Sequence, residues 1–251
     1  MELLFLGTGT STGVPEIGCQ CATCQSSDHK DKRLRSSVLV TTQGKNILID
    51  CGPDFRQQML PLAFAPLSGI LITHEHYDHV GGLDDLRPFG QFSDLQIYAE
   101  SNVCQAIRTR LPYCFNEHTY PGVPKLTLNS ITLDSFTIGS ICIQPIRVIH
   151  GRLPIVGFRI ENMAYLTDLT EIPASEYKKL ENLDILIIDA LRDKPHPSHE
   201  TVSQALKQIE RIQPKAAYLI HMSHHFGKHD DRQKELPQHV KIAYDGLKIT
   251  I

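Results

Sequence analysis

The sequence lacks the features that would place it in several broad classes of protein. No run of apolar residues approaches the roughly 20 that a membrane-spanning helix requires. The first apolar stretch, residues 1–6, is too short for the core of a signal peptide and is interrupted by Gly7. The formal net charge at pH 7 is only −3, so no basic surface for nucleic acid is expected. These absences predict a soluble cytoplasmic protein that does not associate with membranes.

The chain also lacks an internal boundary. Its 251 residues contain no low-complexity tract, block of like charge or Pro/Gly-rich linker that would separate two domains. This length suits one large α/β domain, and apolar residues make up 41% of the chain, which is enough for a substantial core. We therefore expect a single domain over residues 1–251.

The most informative segment is the string HEHYDH at residues 74–79, which follows an apolar, strand-like run. His74 and His76 are two residues apart, so on an extended segment their rings project to the same side and can bind one ion. Asp78 and His79 follow at once and can turn toward a second ion. Without metal, these side chains would leave unpaired polar atoms beside an apolar strand. The pattern predicts a strand that ends in a dinuclear metal site.

The string Thr-His-x-His-x-Asp-His at residues 73–79 resembles the signature of the metallo-β-lactamase-fold hydrolases. In that family the remaining ligands follow later strands, and His150, Asp168 and His221 match those positions, each after an apolar run. The resemblance implies two metal sites that share a bridging aspartate. The first site consists of His74, His76, His150 and Asp168, and the second of Asp78, His79, His221 and Asp168.

The resemblance also implies a four-layer αββα sandwich, an α/β fold. Apolar runs separated by turn residues predict strands in both halves of the chain, which is consistent with that fold but does not select it over other α/β folds. The predicted strands lie at 2–6, 37–42, 46–50, 69–73, 95–98, 141–149, 155–160, 164–167, 184–189 and 215–220. Helices are predicted over 54–62, 101–110 and 198–212, the last capped by Ser198, and a final hairpin around Asp245-Gly246.

The chemistry of two adjacent cations accounts for such a ligand set. Cations about 3.5–4 Å apart can share a hydroxide near neutral pH and can neutralise charge on a phosphoryl or acyl oxygen. Mixed nitrogen and carboxylate ligands suit Zn²⁺, Mn²⁺ or Fe²⁺ and do not decide among them. Asp50 matches an aspartate with which the family holds the histidines of the string; the alternative is that it only forms a turn before Gly52.

A second metal is predicted in a small loop at residues 18–25. Cys19, Cys21 and Cys24 have the spacing C-x-C-x₂-C, and three thiolates need one more ligand for a tetrahedral zinc. The PhnP-type phosphoribosyl cyclic phosphate phosphodiesterases carry a similar cysteine cluster, and their fourth ligand matches His224. His225, the next residue, remains an alternative. Because a closed site of this kind has no open position, the predicted zinc is structural.

His199 is the predicted proton donor. Relatives that cleave phosphodiesters have a histidine in a matching His-x-Thr setting, and the predicted helix start at Ser198 would favour an anionic ligand there. An imidazole can protonate a leaving alkoxide near neutral pH. His196 is the local competitor for this role. Asp78 is grouped with His199 as a catalytic residue because it lies in the metal-binding string.

These features predict a metal-dependent phosphodiesterase that hydrolyses a small or cyclic phosphate ester through a metal-bridging hydroxide. A tRNase Z-like nuclease is an alternative, but the chain has no basic arm to bind RNA. A thioesterase is disfavoured by the short C-terminus, and β-lactamase activity by aspartate at position 168. A PqqB-like protein that binds metal without hydrolase activity is the non-enzymatic alternative. A homodimer is compatible with the sequence, which does not identify the physiological substrate.

Overall fold

The computed structural model describes residues 1–116 and 122–251, and strands dominate both parts. The strands are β1 (Glu2–Gly7), β2 (Ser37–Thr42), β3 (Lys45–Ile49), β4 (Gly69–Leu71), β5 (Leu95–Glu100), β6 (Leu126–Ile131), β7 (Phe136–Ile138), β8 (Ile141–His150), β9 (Leu153–Ile160), β10 (Met163–Leu166), β11 (Ile185–Asp189), β12 (Ala216–Ile220), β13 (Val240–Ile242) and β14 (Lys248–Thr250). The α-helices are α1 (Phe55–Met59), α2 (Tyr77–Val80), α3 (Ser101–Arg110), α4 (Val202–Ile212) and α5 (His229–Gln233). Short 3-10 segments include Leu83–Gln91 and Ala174–Leu180.

The strands form two mixed sheets of seven strands each. The first sheet has the order β14-β1-β2-β3-β4-β5-β6, and the second has the order β13-β12-β11-β10-β9-β8-β7. In the first, β3 to β6 run parallel, and in the second, β10 to β13 run parallel. The two sheets pack face to face, because one buried cluster contains Phe5, Val38 and Ile47 of the first and Phe158 and Tyr165 of the second.

Helices cover the outer faces of both sheets. Val103 and Ile107 of α3 pack with the outer residues of the first sheet. Val202, Ala205 and Ile209 of α4 pack with the outer residues of the second. The result is the αββα sandwich predicted above. No helix in the described parts of the chain is long and apolar enough to cross a membrane.

Two local predictions were wrong. The helix predicted to start at Ser198 begins at Val202, because Thr201 accepts from the backbone N–H of Gln204 and the Gln204 side chain accepts from the backbone N–H of Thr201. The predicted final hairpin does not form, because β13 pairs with β12 while β14 pairs with β1 in the other sheet. Two further strands, β6 and β7, were not predicted, and the helix predicted over 54–62 is only the five residues of α1.

Candidate active site

The candidate site lies where the strands of both sheets end. Because β3 and β4 are parallel, and β8, β10, β11 and β12 share one direction, their carboxyl ends lie along one edge of each sheet. Each of these ends carries a polar side chain within or just after the strand. These residues are Asp50, His74, His150, Asp168, Asp189 and His221. The fold therefore gathers residues that are far apart in sequence.

Three of these residues have an unusual backbone conformation. Asp50, Asp168 and His221 have φ values of 61°, 54° and 58°, in the left-handed region. For a residue other than glycine this conformation costs on the order of 1 kcal/mol or more and is concentrated at functional sites. Each residue lies one or two positions after the end of a strand, so the chain turns sharply at the sheet edge that carries the site.

The first cluster of ligand-type atoms comes from His74, His76, His150 and Asp168, whose nitrogens and oxygens lie within 4.8 Å of one another. His74 Nε2 is 3.0 Å from His76 Nδ1 and 3.7 Å from Asp168 Oδ2. His150 Nδ1 donates to the carbonyl oxygen of Ser198 at 2.6 Å, which directs Nε2 away from that bond. His74, His150 and Asp168 are buried, whereas His76 is exposed.

The second cluster comes from Asp78, His79, Asp168 and His221, all of them buried. His79 Nε2 is 3.2 Å from Asp78 Oδ2 and 3.4 Å from Asp168 Oδ2. His221 Nε2 is 3.1 Å from the other oxygen of Asp168. Asp168 therefore faces both clusters, in the position that a bridging ligand requires.

Burial and neighbouring charge act in opposite directions on the pKa values here. Burial alone would raise the pKa of Asp168, but the rings of His221 and His79 hold it well below its ordinary value. Burial would lower the pKa of His79, but Asp78 and Asp168 raise it well above its ordinary value. The pKa of His74 is lowered mainly by burial. The buried carboxylates thus attract positive charge, which divalent cations can supply.

The residues present fit a pair of divalent metal ions. Two ring nitrogens, on His74 and His76, face each other at 3.0 Å. Nε2 of the fully buried His79 lies 3.2 Å from Asp78 Oδ2 and 3.4 Å from Asp168 Oδ2 but forms no hydrogen bond of good geometry with a described residue, which leaves it available to a metal ion. Histidine nitrogens and carboxylate oxygens in four-member groups are a typical donor set for Zn²⁺ and similar metals.

Asp50 lies behind the two clusters. Its Oδ2 accepts a hydrogen bond of 2.7 Å from His79 Nδ1, and its carboxylate accepts from the backbone and hydroxyl of Thr73. The Thr73 hydroxyl is also 3.0 Å from His74 Nδ1. Such contacts set the tautomer and orientation of metal-binding imidazoles. One buried carboxylate therefore orients one ring from each cluster.

His199 lies beside the two clusters in the loop before α4, so it does not have the helix N-terminus that the sequence predicted. Its ring is 4.8 Å from those of His150 and His221, and it stacks on His221. Its Nδ1 is 3.4 Å from Asp189 Oδ2. His196, the competing candidate, has its ring centre 5.1 Å from that of His199 and lies next to Ser198.

Asp189 is the residue of this site that sequence reasoning missed. It is fully buried at the end of β11, and its two oxygens face His199 Nδ1 at 3.4 Å and His221 Nδ1 at 3.7 Å. The signal was available, because Asp189 ends an apolar strand just as the other site residues do. Both rings present their Nδ1 side to this carboxylate, so their Nε2 atoms are turned away from it.

A cavity of about 660 Å³ opens from this site. It is bordered by two residues of the first cluster and by the turn and loop that surround them: His76, His150, Gly151, Arg152, Leu153, Pro197 and Ser198. This volume is sufficient for a small organic ligand. Two other grooves on the surface, of about 450 and 480 Å³, contain none of the residues of the two clusters.

A separate cluster joins Cys19, Cys21 and Cys24 to His224, with the four ligand atoms within 4.8 Å of one another. His224 Nδ1 is 3.1 Å from Cys19 Sγ and 3.4 Å from Cys21 Sγ. A hydrogen bond from the backbone of Cys24 contributes most to lowering the pKa of Cys21 to about 6. The ring of His225 packs against that of His224 at a tilt of 36°, and His225 is not part of this group. Three thiols and one imidazole are a donor set for tetrahedral zinc.

Comparisons with known proteins agree with the observed fold. A family model described as a β-lactamase superfamily domain matches residues 45–222. A crystal structure of a diphosphatase from the PhnP family is 38% identical, with a TM-score of 0.93 over 99% of this chain and 96% of that one. Zn²⁺-bound PqqB from Methylobacterium extorquens is 18% identical, with a TM-score of 0.81 over the whole of both chains, and shows the shared fold alone.

One curated relative is named for an acyl-transfer activity and not for phosphate chemistry. An octanoyltransferase of Porphyromonas gingivalis is 48% identical over 254 residues, which is all of this chain but 52% of that protein. This chain spans about half the length of the curated relatives it matches.

The sandwich fold, the strand-end histidines and aspartates and the matching family model define the class: the chain belongs to the β-lactamase superfamily. Within that superfamily it is similar to the PhnP family, as its likeness to the diphosphatase shows.

Proposed function

We propose that this protein is a metal-dependent phosphodiesterase that hydrolyses a small or cyclic phosphate ester, such as a phosphoribosyl 1,2-cyclic phosphate-like compound. One observation carries the proposal: two four-residue groups of ligand atoms share Asp168, and His199, which belongs to neither of them but groups with Asp189 and His221, lies beside them. The 38% identity to a PhnP-family diphosphatase supports a phosphorus-containing substrate. The fold and this likeness together support a metal-dependent phosphoesterase.

The metal ions would be two divalent cations, Zn²⁺ or Mn²⁺ or alternatively Fe²⁺, held by the two groups that share Asp168. When bound, they would lower the pKa of water and neutralise charge on the phosphoryl oxygens. Asp78 supplies one carboxylate to the second group. A third metal, a structural zinc, would be held by Cys19, Cys21, Cys24 and His224, away from the reaction.

The protein's own residues have distinct roles in this proposal. Asp50 orients His79 from behind, Asp189 faces His199 and His221, and Ser198 fixes the tautomer of His150 through its carbonyl oxygen. His199 protonates the leaving oxygen, because its ring lies next to both clusters and is not needed as a ligand in either group of four. Its Nδ1 faces Asp189, which leaves Nε2 for the substrate.

The octanoyltransferase relative does not favour acyl transfer by this chain. We propose that the transferase activity belongs to the part of that protein that this chain does not match. Among the cysteines, Cys51 comes closest in sequence to a site residue, but it is fully buried and burial raises its pKa well above the ordinary value. A thiol in that environment is a poor nucleophile.

The proposal is tested with protein loaded with Zn²⁺, Mn²⁺ or Fe²⁺ and assayed on bis(p-nitrophenyl) phosphate and on a panel of cyclic phosphates. We expect turnover with at least one metal, and its loss in Asp168→Ala together with loss of bound metal. The exposed Cys142→Ser serves as the matched control and should keep both. Metal-loaded protein that cleaves no phosphodiester, or Asp168→Ala with full activity, would contradict the proposal.

A further inference from the structure

Glu16 lies beside the cysteine cluster but is not one of its four ligand-type residues. Its carboxylate oxygen Oε2 is 2.9 Å from Nε2 of His224. The other ring nitrogen of His224, Nδ1, faces the thiols, at 3.1 Å from Cys19 Sγ and 3.4 Å from Cys21 Sγ. The imidazole therefore lies between two thiols on one side and a carboxylate on the other.

The backbone of Glu16 contacts two other members of the cluster. Its N–H donates to Cys24 Sγ at 3.4 Å, and its carbonyl oxygen accepts from the N–H of Cys19 at 3.0 Å. Together with the side-chain contact to His224, Glu16 touches three of the four residues of the cluster. Because its backbone is held by the cysteines, its carboxylate meets the ring of His224 from a fixed position.

The contact with Glu16 favours one tautomer of His224. A neutral imidazole carries a proton on one nitrogen and a free lone pair on the other, and only the lone pair can bind a metal. An ionised carboxylate accepts hydrogen bonds but cannot donate them, so Glu16 favours the proton on Nε2. The lone pair is then on Nδ1, the nitrogen that faces the thiols. A carboxylate in this position also raises the basicity of the nitrogen that binds the metal.

Solvent screens this contact in part. The side chain of His224 is 11% exposed, and that of Glu16 is 41% exposed. Loss of the hydrogen-bond partner of a metal-binding residue typically lowers metal affinity by about 10–100-fold. Because exposed charged groups interact more weakly than buried ones, we expect an effect near the lower end of that range.

We propose that Glu16 is a positioning residue for the structural zinc: its carboxylate accepts the Nε2 proton of His224 and so keeps Nδ1 free to bind the metal. This inference rests on the structural zinc proposed above and does not depend on the phosphodiesterase reaction. It adds to the zinc site a fifth residue, one that lies outside the C-x-C-x₂-C spacing and does not itself bind the metal.

The test measures the zinc affinity of the cysteine cluster in Glu16→Ala. Alanine keeps the backbone contacts with Cys24 and Cys19, so this variant removes only the carboxylate. Zinc-loaded protein is titrated with the chromogenic chelator pyridylazoresorcinol, and the zinc that the wild type holds but Cys21→Ser does not is assigned to the cluster. We expect the affinity for this zinc to fall by about tenfold in Glu16→Ala.

Two further variants separate the carboxylate of Glu16 from general effects of charge. Glu16→Gln keeps a hydrogen-bond acceptor without the charge, so its zinc affinity should stay within about threefold of the wild type. Glu2→Ala is the matched control. Glu2 is 40% exposed and its Oε1 is 2.9 Å from Lys248 Nζ, but it lies at the start of β1, away from the cluster. Glu2→Ala should bind zinc as the wild type does.

Melting and activity measurements separate this inference from the proposals on which it does and does not rest. Zinc-free wild type and Glu16→Ala should melt at the same temperature, and the zinc-loaded proteins should cleave a phosphodiester with similar kcat/KM. A zinc affinity of Glu16→Ala within about twofold of the wild type overturns the role of Glu16. A lower melting temperature of the zinc-free variant also overturns it, because the carboxylate then stabilises the chain and not the metal site. If the wild type holds no more zinc than Cys21→Ser, the structural zinc and this inference both fail, whatever the result of the phosphodiesterase assay.

Discussion

At the scale of single residues, the site depends on buried carboxylates that do not themselves need to touch a substrate. Asp50 contacts His79 directly and His74 through Thr73, and Asp189 faces His199 and His221. Asp50 therefore orients two imidazoles through hydrogen bonds, and Asp189 lies close to two more without a hydrogen bond to either. A change at either position would alter more than one imidazole, so its effect on activity would not be additive with changes at the histidines.

His199→Ala should slow hydrolysis selectively. On alkyl phosphodiesters, whose leaving alkoxide needs a proton, we expect a loss of about 10²–10⁴-fold. On p-nitrophenyl esters the loss should be far smaller, because p-nitrophenolate leaves without protonation. Metal content, measured by elemental analysis, should not change. His196→Ala is the control and should show no such dependence on the leaving group. Equal slowing of both substrate types would assign His199 to substrate positioning, and loss of metal would make it a ligand.

Glu200 should make stability depend on pH. Burial is the main cause that raises its pKa to about 7 from an ordinary value near 4.5. The folded protein then holds a proton between these values that the unfolded chain has lost, so stability falls as pH rises from about 4.5 to 7. Glu200→Gln should raise the free energy of unfolding by roughly 2 kcal/mol at pH 8 and have little effect at pH 4.5.

Thermal melts of wild type and variant across this pH range test the prediction. Glu210→Gln, exposed on α4, is the matched control and should show no comparable change between the two pH values. A gain that is equal at pH 4.5 and 8 would show that the effect comes from packing and not from ionisation.

Some residues of the site could be identified from the sequence, and others could not. The string at residues 74–79 and the strand-end positions of His150, Asp168 and His221 could be read from motif and apolar pattern, and the structure brings all of them together. Asp189 also ends an apolar strand, but the sequence could not show what it contacts, because His199 and His221 are 10 and 32 positions further along the chain.

At the scale of elements, the loop that carries the three cysteines connects the start of the chain to the segment after β12. Gly9 bridges Met222, and Cys19 and Cys21 contact His224. The loop at residues 18–25 contains no strand or helix and is held by a few turn and side-chain hydrogen bonds, so a bound zinc would add substantially to the contacts that order it. The same metal would hold the chain next to His221.

Cys21→Ser should therefore lower stability more than it alters the reaction. We expect loss of one zinc per chain and a melting temperature lower by several degrees, because structural zinc contributes directly to folding. The KM for a phosphodiester should change little. Cys142→Ser, at an exposed cysteine outside the cluster, should behave as the wild type. Full zinc content together with unchanged stability would contradict a structural zinc at this loop.

Elements were predictable where they are strongly apolar. Strands such as β11 and β12 have continuous apolar runs, and both were found. β6 and β7 were missed because they are short or mix polar residues with apolar ones. The start of α4 was misplaced because both Ser198 and Thr201 are good caps, and only the reciprocal bonds of Thr201 with Gln204 decide between them.

At the scale of the whole molecule, the candidate metal site connects the two sheets. Asp78 and His79 follow β4 of the first sheet, whereas His150, Asp168 and His221 come from strand ends of the second. Metal bound there would link the two halves of the sandwich. Local sequence patterns could not predict this arrangement, because they identify strands without assigning them to sheets. Asp245-Gly246 illustrates the difficulty: it looks like a hairpin turn, yet it connects strands of different sheets.

Removal of metal should destabilise the entire fold. A ligand present at about 1,000 times its dissociation constant stabilises the native state by roughly 4 kcal/mol, so chelation should lower the melting temperature by several degrees or more. The difference between metal-loaded and chelated protein should be smaller in His76→Ala, which removes an exposed ligand and leaves no buried cavity. If chelator removes all metal, verified by elemental analysis, and the melting temperature does not change, the metal does not hold the two halves together.

The ends of the chain also meet. The amino group of Met1 donates to the carbonyl oxygen of Ile251 at 3.1 Å, where β1 and β14 lie side by side. Because β1 runs in the same direction as β3, its start lies at the opposite edge of the sheet from Asp50 and the site. A polypeptide joined to either end would therefore emerge far from the cavity. The domain has the geometry of a module that can be appended to another protein, or inserted into one, without blocking its own active site.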